Sequence, residues 1–319
     1  PEKLELLYDW IINNKDEQNI QFVFGMGDIT NHSRDDEWPV AMEQINRLNG
    51  VIPYSLVRGN HDTSDTFNTN LNNETYRSMF DGLYSEDGAE NAYVTFTVGE
   101  TDFLNITLDY APSNAVLNWA AGVIQKHPNH KVIISTHAYL EHDGTLLDES
   151  SVANSGQEIW DKLISQYPNI FLVLSGHVFA TEIGRSQMTG VYGNTVTNIM
   201  TDGQCYDFKN GPMGFISLLH FSEDGKKLTV EYYSTVHDKF FGKNSQFTLD
   251  IPEFDPSTVE PPTYLYEVTD ALGNTRSYAE SVPFSMVLSS VTEGSTLKIL
   301  GDVDVESSVT IPANVTIDL

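Results

Sequence analysis

Apolar and polar positions follow two patterns along this chain, one typical of amphipathic helices and one typical of buried strands. Leu4, Leu7, Tyr8 and Ile11 recur at helical spacing and predict a first helix. Further helices are expected at 38–48, 116–123 and 159–164. Continuous apolar runs predict buried strands at 21–27, 53–58, 131–136 and 170–175. Strands that alternate with helices in this way indicate an α/β domain with a parallel sheet.

Other parts of the chain have different patterns. Residues 63–90 are polar and are expected to form a loop, whereas 92–98 and 103–108 predict a strand pair. Later runs predict antiparallel strands at 194–200, 214–221, 228–234 and 247–251, with a hairpin turn at Glu223-Asp224-Gly225. These strands complete a predicted domain at 1–252. The proline-rich residues 253–263 have linker composition. Residues 264–319 predict a small β-rich module, which could be the start of a β-solenoid.

Four of the predicted parallel strands end in side chains that can bind a metal or transfer a proton. These are Asp28, the sequence Asn60-His61-Asp62, His137 and His177. Because ligands bind beyond the carboxyl ends of the strands in such sheets, we expect these side chains to lie close together. Each motif alone is also a common strand-to-turn sequence. The combination of four strand ends favours a functional site.

The composition limits the classes of function. The formal net charge of −28 argues against nucleic acid or anionic lipid as a partner, and no apolar run is long enough for a membrane span. Cys205 is the only cysteine, which excludes an intrachain disulfide and a thiolate metal cluster. Oxygen and imidazole ligands suit Mn, Fe, Zn or Ni at a hydrolytic centre. In an enzyme that acts on phosphate, such a cation would have to offset the repulsion between the negatively charged protein and its anionic substrate.

The ordered motifs Gly27-Asp28, Gly59-Asn60-His61-Asp62, His137 and Gly176-His177 resemble those of the calcineurin-like metallophosphoesterases. The resemblance extends from Leu4 to about Ile251 and implies a four-layer α/β/β/α sandwich of two sheets. It implies hydrolysis of a phosphomonoester or phosphodiester by metal-activated water, with a small phosphorylated substrate. By the same resemblance, Asp28 bridges two metals, and Asn60, His137 and His177 complete the shell of the second. His61 acts as general acid, and Asp62 assists it by orienting its ring.

Two departures from the family pattern affect the metal prediction. The family's first motif, Asp-any-His or Asp-any-Gln, lies on a strand before the first helix, and this chain begins at that helix. A gap or an exposed edge is therefore expected in the sheet. The last motif is normally Gly-His-any-His, but here Phe179 occupies the position of the final histidine. We therefore expect one complete metal site and a doubtful second one.

Two functions remain open on the sequence. One is a metal-dependent phosphoesterase, and the alternative is a non-catalytic or weakly active extracellular module that retains the fold. The low content of Lys and Arg, the many Asn, Thr and Ser residues and the trailing β module resemble exported multidomain bacterial proteins. The predicted localisation is therefore secreted or cell-surface. Arg58 is expected to form a salt bridge, with a phosphate contact as the alternative, and His32 and His142 are expected to be exposed.

Overall fold

The computed structural model describes residues 2–149, 153–204, 214–251 and 263–319, apart from 274, 281, 304, 306 and 307. The chain starts with α1 (Glu2–Asn13), β1 (Val23–Gly25), α2 (Trp38–Ile45) and β2 (Tyr54–Leu56). The strands β1 and β2 pair in parallel. Apolar side chains of both helices and of β2 form one core, which includes Ile11, Trp38, Ile45 and Leu56. The helices α1 and α2 therefore cover one face of the small β1–β2 sheet.

Residues 63–90 differ from the predicted loop because they contain two short helices, α3 (Ser64–Leu71) and α4 (Glu74–Arg77). Each helix has an N-cap: the side chain of Thr63 accepts from the backbone of Thr66, and that of Asn73 accepts from Tyr76. Phe67 and Leu71 share one face of α3 and are buried. The many asparagines conceal this amphipathic pattern in the sequence.

A seven-stranded sheet forms the centre of the molecule. Its strands are β3 (Gly82–Leu83), β4 (Ala92–Val98), β5 (Thr101–Thr107), β6 (Lys131–Ser135), β7 (Ile170–Ser175), β8 (Gly184–Thr189) and β9 (Thr195–Met200). The spatial order is β3-β4-β5-β6-β7-β9-β8, and β5, β6, β7 and β9 run in parallel. Helices α5 (Asn114–Lys126) and α6 (Gly156–Lys162) pack on one face through a core that includes Trp119 and Ile159.

The opposite face of this sheet packs against a second β layer. That layer contains the antiparallel strands β10 (Phe215–Phe221), β11 (Lys227–Ser234), β12 (Lys239–Phe240) and β13 (Phe247–Asp250). Leu172 and Ile199 of the central sheet share a core with Val230 and Tyr232 of β11 and with Phe24 of β1. Two β layers thus face each other with helices outside both. The predicted four-layer α/β/β/α architecture is confirmed.

A cavity of about 920 Å³ separates the two parts of this second layer. Phe22 and Phe24 line it from β1 and its approach, and Leu219 and Phe221 line it from β10. Among the described strands, none pairs with the outer edge of β1 or with the outer edge of β10. Both strand edges therefore border the cavity without a pairing partner among the described strands.

The C-terminal residues form a separate small β module, as predicted. It contains β14 (Tyr264–Thr269), β15 (Thr275–Ala279), α7 (Phe284–Ser290), β16 (Thr296–Ile299) and β17 (Thr316–Asp318). The last two strands are parallel, with Thr296 paired to Thr316. One parallel pair does not test for a β-solenoid, which stays a prediction. The module docks on α5, where the Asn118 amide donates to the Ser290 carbonyl at 3.1 Å. The predicted linker at 253–263 lies almost wholly outside the described residues, and the domain boundaries stay a prediction.

None of the described helices has the length and apolar character needed to cross a membrane.

Candidate metal centre

The four predicted metal ligands meet at one edge of the two sheets. Asp28 lies just beyond β1 and Asn60 just beyond β2, whereas His137 and His177 follow β6 and β7. Asn60 Oδ1 is 3.0 Å from His137 Nε2 and 3.0 Å from His177 Nδ1. Asp28 Oδ1 lies 3.3 Å from the same His137 nitrogen. The strand-end prediction therefore brought together residues that are far apart in the chain.

The outward nitrogens of both histidines have partners of their own. His137 Nδ1 is 2.6 Å from the carbonyl oxygen of Met26, so we place a proton on Nδ1. His177 Nε2 is 3.4 Å from Glu149 Oε2, which attracts a proton to that nitrogen. In neutral imidazoles the inward nitrogens then carry lone pairs. With these tautomers the lone pairs face Asn60 Oδ1 and Asp28 Oδ1, so four acceptor atoms converge.

This arrangement fits a divalent cation. Two ligands at right angles on bonds of about 2.1 Å lie about 3.0 Å apart, which matches the spacing of the acceptor atoms. Metal-binding histidines usually donate their other N–H to a carbonyl or a carboxylate. His137 has the Met26 carbonyl in this role, and His177 has the Glu149 carboxylate at an ion-pair distance. Among the described residues, no three His, Cys, Asp or Glu side chains could hold a metal by themselves. The ligand set therefore depends on the amide oxygen of Asn60.

The backbone around the centre is strained where the ligands are attached. Asp28 and His177 have φ angles of +52° and +73°, a region that residues other than glycine seldom adopt. Gly59 is required beside Asp28, because a Cβ there would lie 2.1 Å from Asp28 Oδ1. The close approach of the loops after β1 and β2 thus depends on a residue without a side chain.

The Asp62 carboxylate connects these two loops. It is fully buried and accepts hydrogen bonds from the backbone N–H groups of Ile29 (3.0 Å), Thr30 (2.8 Å) and Gly59 (3.1 Å), and from the Thr30 hydroxyl (2.8 Å). The sequence predicted instead that Asp62 orients the His61 ring. The structure differs because the carboxylate is occupied by buried N–H groups that would otherwise lack partners. Asp62 therefore shapes the site through the backbone.

His61 lies at the open side of the centre. Its Nδ1 is 2.7 Å from the carbonyl oxygen of Asn31, and its backbone N–H donates to Asp28 Oδ1 at 3.1 Å. The contact to Asn31 places the ring proton on Nδ1 and leaves Nε2 for a substrate. The group that orients His61 is thus a backbone carbonyl, which sequence patterns do not reveal.

The charged groups near the centre shift one another's pKa values. Burial raises the pKa of Asp28, but the nearby His137 and the His61 N–H outweigh it, so the pKa lies below its usual value. Burial and the charge of His137 lower the pKa of His177. Burial raises the pKa of Asp202, and the charge of Asp28 contributes. The lowered pKa values favour the ionised form of Asp28 and the neutral form of the His177 ring.

Three residues beside the centre were missed by the sequence analysis: Glu149, Tyr110 and Asp202. The Tyr110 hydroxyl donates to Glu149 Oε1 at 3.2 Å, and burial with the Glu149 charge raises the pKa of Tyr110 to about 12. Both residues are in loops whose positions depend on tertiary packing. Asp202 closely follows β9, a strand that the sequence predicts, so the strand-end rule could have found it.

The remaining candidates behave as structural or surface residues. Arg58 forms the expected salt bridge, with its Nε 2.6 Å from Asp109 Oδ1. His32 pairs with Glu37 at 3.2 Å, and the His142 side chain is 65% exposed. Phe179 is 56% exposed and offers no ligand atom at the position where the family pattern has its last histidine.

The sequence model of the calcineurin-like phosphoesterases matches residues 1–179, which is more than half of the chain. The chain belongs to the calcineurin-like phosphoesterase family. The family's enzymes are phosphoester hydrolases that generally use divalent metals. Family membership and the fold predicted from the resemblance are therefore confirmed.

Two similar proteins extend this comparison. The uncharacterized protein YvnB of Bacillus subtilis (strain 168) is 24% identical over 261 residues, which are 76% of this chain and 20% of YvnB. A crystal structure of a putative 5′-nucleotidase from Staphylococcus aureus, in complex with α-ketoglutarate, aligns with a TM-score of 0.38 and 12% identity. That alignment covers 80% of this chain and 50% of the other. The chain thus spans a fifth of YvnB and half of the nucleotidase chain.

Proposed function

We propose that this chain is a metal-dependent phosphoesterase that hydrolyses a phosphomonoester or a phosphodiester of a small molecule. The observation that carries the proposal is the convergence of four acceptor atoms from Asp28, Asn60, His137 and His177. With the ring protons on the outward nitrogens, lone pairs face one another at 3.0–3.3 Å, which is unfavourable without a cation. The family supplies the reaction class, and the acidic surface favours a small substrate over nucleic acid.

The same four residues would hold one divalent ion, with Mn, Fe, Zn and Ni as the candidates. Such an ion, when bound, supplies Lewis-acid polarisation of a phosphoryl oxygen and activation of water. A second ion has fewer ligands here, because Phe179 has no donor atom. We therefore propose one tightly bound equivalent of metal.

His61 is the proposed general acid. Its Nδ1–H is tied to the Asn31 carbonyl at 2.7 Å, so proton transfer to a leaving oxygen occurs at Nε2 of the protonated ring. The Asp28 contact to the His61 N–H sets the distance between this ring and the metal ligands. Asp62 supports both residues by holding the two loops together, without touching the imidazole.

A second candidate function is a weakly active or non-catalytic surface module. Phe179 favours this alternative because it removes a ligand of the first metal. We further propose that the protein is secreted or attached to the cell surface, as the composition and the trailing β module indicate.

Turnover and metal content distinguish the two functions. The purified chain is assayed with 4-nitrophenyl phosphate and bis(4-nitrophenyl) phosphate while Mn²⁺, Zn²⁺, Ni²⁺ or Fe²⁺ is titrated. The enzyme hypothesis predicts metal-stimulated turnover that His61→Ala lowers by about 10²- to 10⁴-fold with metal content unchanged. His142→Ala is the matched control, because that histidine is exposed and its ion-pair partner is Glu141.

Three results would contradict these proposals. Absence of turnover with every metal favours the non-catalytic module. Loss of metal in His61→Ala means that His61 is a ligand rather than the general acid. Two tightly held equivalents of metal refute the single-site proposal.

A further inference from the structure

We propose that Glu149 is a positioning residue that holds the His177 ring with Nδ1 turned towards Asn60. The inference rests on the proposed function in taking His177 as a metal ligand. Neither the family pattern nor the strand-end pattern includes Glu149. The residue comes from a loop, and its role follows from contacts in the folded protein.

The first support is the position of the carboxylate relative to the ring. Glu149 Oε2 is buried and lies 3.4 Å from His177 Nε2, which is an ion-pair distance and not a hydrogen bond. The Nδ1 atom of the same ring is 3.0 Å from Asn60 Oδ1. A carboxylate beside Nε2 favours the tautomer with its proton on that nitrogen, which leaves the Nδ1 lone pair for the metal.

The second support is that Glu149 itself is held in place. Its Oε1 accepts from the Tyr110 hydroxyl at 3.2 Å, and its backbone N–H donates to the Ser155 hydroxyl at 3.3 Å. The Tyr110 ring also contacts the rings of His137 and His177, with centroids 5.9 and 5.8 Å apart. Tyr110 therefore fixes the carboxylate and packs against both imidazoles.

The third support is the backbone of His177. With a φ of +73°, this residue is in a conformation that costs free energy, and its side chain cannot be positioned by a regular strand. His137 has a backbone carbonyl, that of Met26, as the partner of its outward nitrogen. Glu149 performs the same task for His177 from a side chain.

The experiment compares Glu149→Ala, Glu149→Gln and Tyr110→Phe with Glu141→Ala as the matched control. Glu141 lies in the preceding segment and also faces a histidine, but that residue, His142, is exposed and 3.8 Å away. Two readouts are used: the tautomer of His177 from long-range ¹H–¹⁵N NMR of metal-free protein, and Co²⁺ affinity from the visible absorption of the loaded protein. His177→Ala assigns the resonance.

We expect His177 to be protonated on Nε2 in the wild type and to lose this preference in Glu149→Ala. Co²⁺ affinity should fall about 10- to 100-fold in that variant. Glu149→Gln keeps an oxygen acceptor and should recover part of the tautomer preference. Tyr110→Phe keeps the Glu149 carboxylate and should lower the Co²⁺ affinity only about 2- to 10-fold.

The proposal is overturned if Glu149→Ala matches Glu141→Ala in both tautomer and affinity. It is also overturned if Glu149→Ala and Glu149→Gln weaken Co²⁺ binding equally while the tautomer stays unchanged, because the carboxylate would then act only through its charge. A wild type that binds no Co²⁺ but shows a tautomer dependent on Glu149 refutes the proposed function and leaves the orientation of His177 by Glu149 supported.

Discussion

Replacement of Asp62 by alanine should destabilise the fold by a large amount. The carboxylate is fully buried and accepts from three backbone N–H groups and one hydroxyl. Alanine leaves the N–H groups of Thr30 and Gly59 buried without a partner. Each such group costs about 1–3 kcal/mol, so the free energy of unfolding should fall by about 3–5 kcal/mol. The free energy of unfolding of an ordinary domain is about 5–15 kcal/mol, so this variant would lose much of its stability.

Urea unfolding followed by tryptophan fluorescence measures this loss, with Asp62→Asn as a second variant. The asparagine keeps one acceptor oxygen but points an NH₂ group at N–H donors, so it should recover little stability. The control is Asp36→Asn, because the Asp36 side chain is 79% exposed and its pairing with Arg34 contributes little.

The outcome also decides between the two roles considered for Asp62. A variant that stays within about 0.5 kcal/mol of the wild type would refute the role of Asp62 in joining the two loops. If Asp62→Asn then loses turnover while its stability is unchanged, the sequence-based hypothesis that Asp62 orients His61 is correct.

Four further predictions test other features. His177→Gly should be more stable than His177→Ala by about 1–2 kcal/mol in urea unfolding, because only glycine adopts the +73° φ without cost; equal stabilities would contradict the backbone strain. Gly59→Ala should displace Asp28 and abolish tight metal binding in calorimetry, since the new Cβ would lie 2.1 Å from Asp28 Oδ1. A bound metal at 100 times its dissociation constant should raise the free energy of unfolding by about 2.7 kcal/mol, and EDTA should reverse the gain. Arg276→Met should leave the free energy of unfolding unchanged or raise it by about 1–4 kcal/mol, because the buried Nε and Nη2 of Arg276 make no hydrogen bond among the described residues. A marked loss would mean that the Nη1 contact to Asn118 at 3.4 Å and the contact with the Tyr278 ring outweigh the burial of this charge.

The sequence predicted the strand ends well because each is a local signal. A continuous apolar run followed by glycine and a polar residue requires no knowledge of the rest of the fold. Within each sheet the parallel arrangement places the strand ends together, and the packing of the two sheets brings Asn60 beside His137 and His177. The strands of the central sheet and the antiparallel strands after residue 214 could be predicted for the same reason.

The contacts that orient these ligands were not predictable in the same way. The Met26 carbonyl, the Asn31 carbonyl and the Glu149 carboxylate are brought to the site by loops, and loops have no periodic pattern. The hydrogen bonds of Asp62 were missed for a related reason: adjacency in sequence suggested a contact with His61, whereas the carboxylate accepts from the backbone N–H groups of Thr30 and Gly59. The helix α3 was missed because capping by Thr63 stabilises a segment with weak amphipathicity.

The cavity between β1 and β10 reduces the packing between the N-terminal part of the chain, which meets the central sheet through Phe24 and Met26, and the rest of the fold. Asp28 and Asn60 belong to loops of the N-terminal core, whereas His137 and His177 extend from the central sheet. No ladder of described strands crosses the cavity, so the two cores can separate locally at a lower free energy than global unfolding requires. Proteases and hydrogen exchange should therefore detect the N-terminal part first, and occupancy of the centre should slow its cleavage.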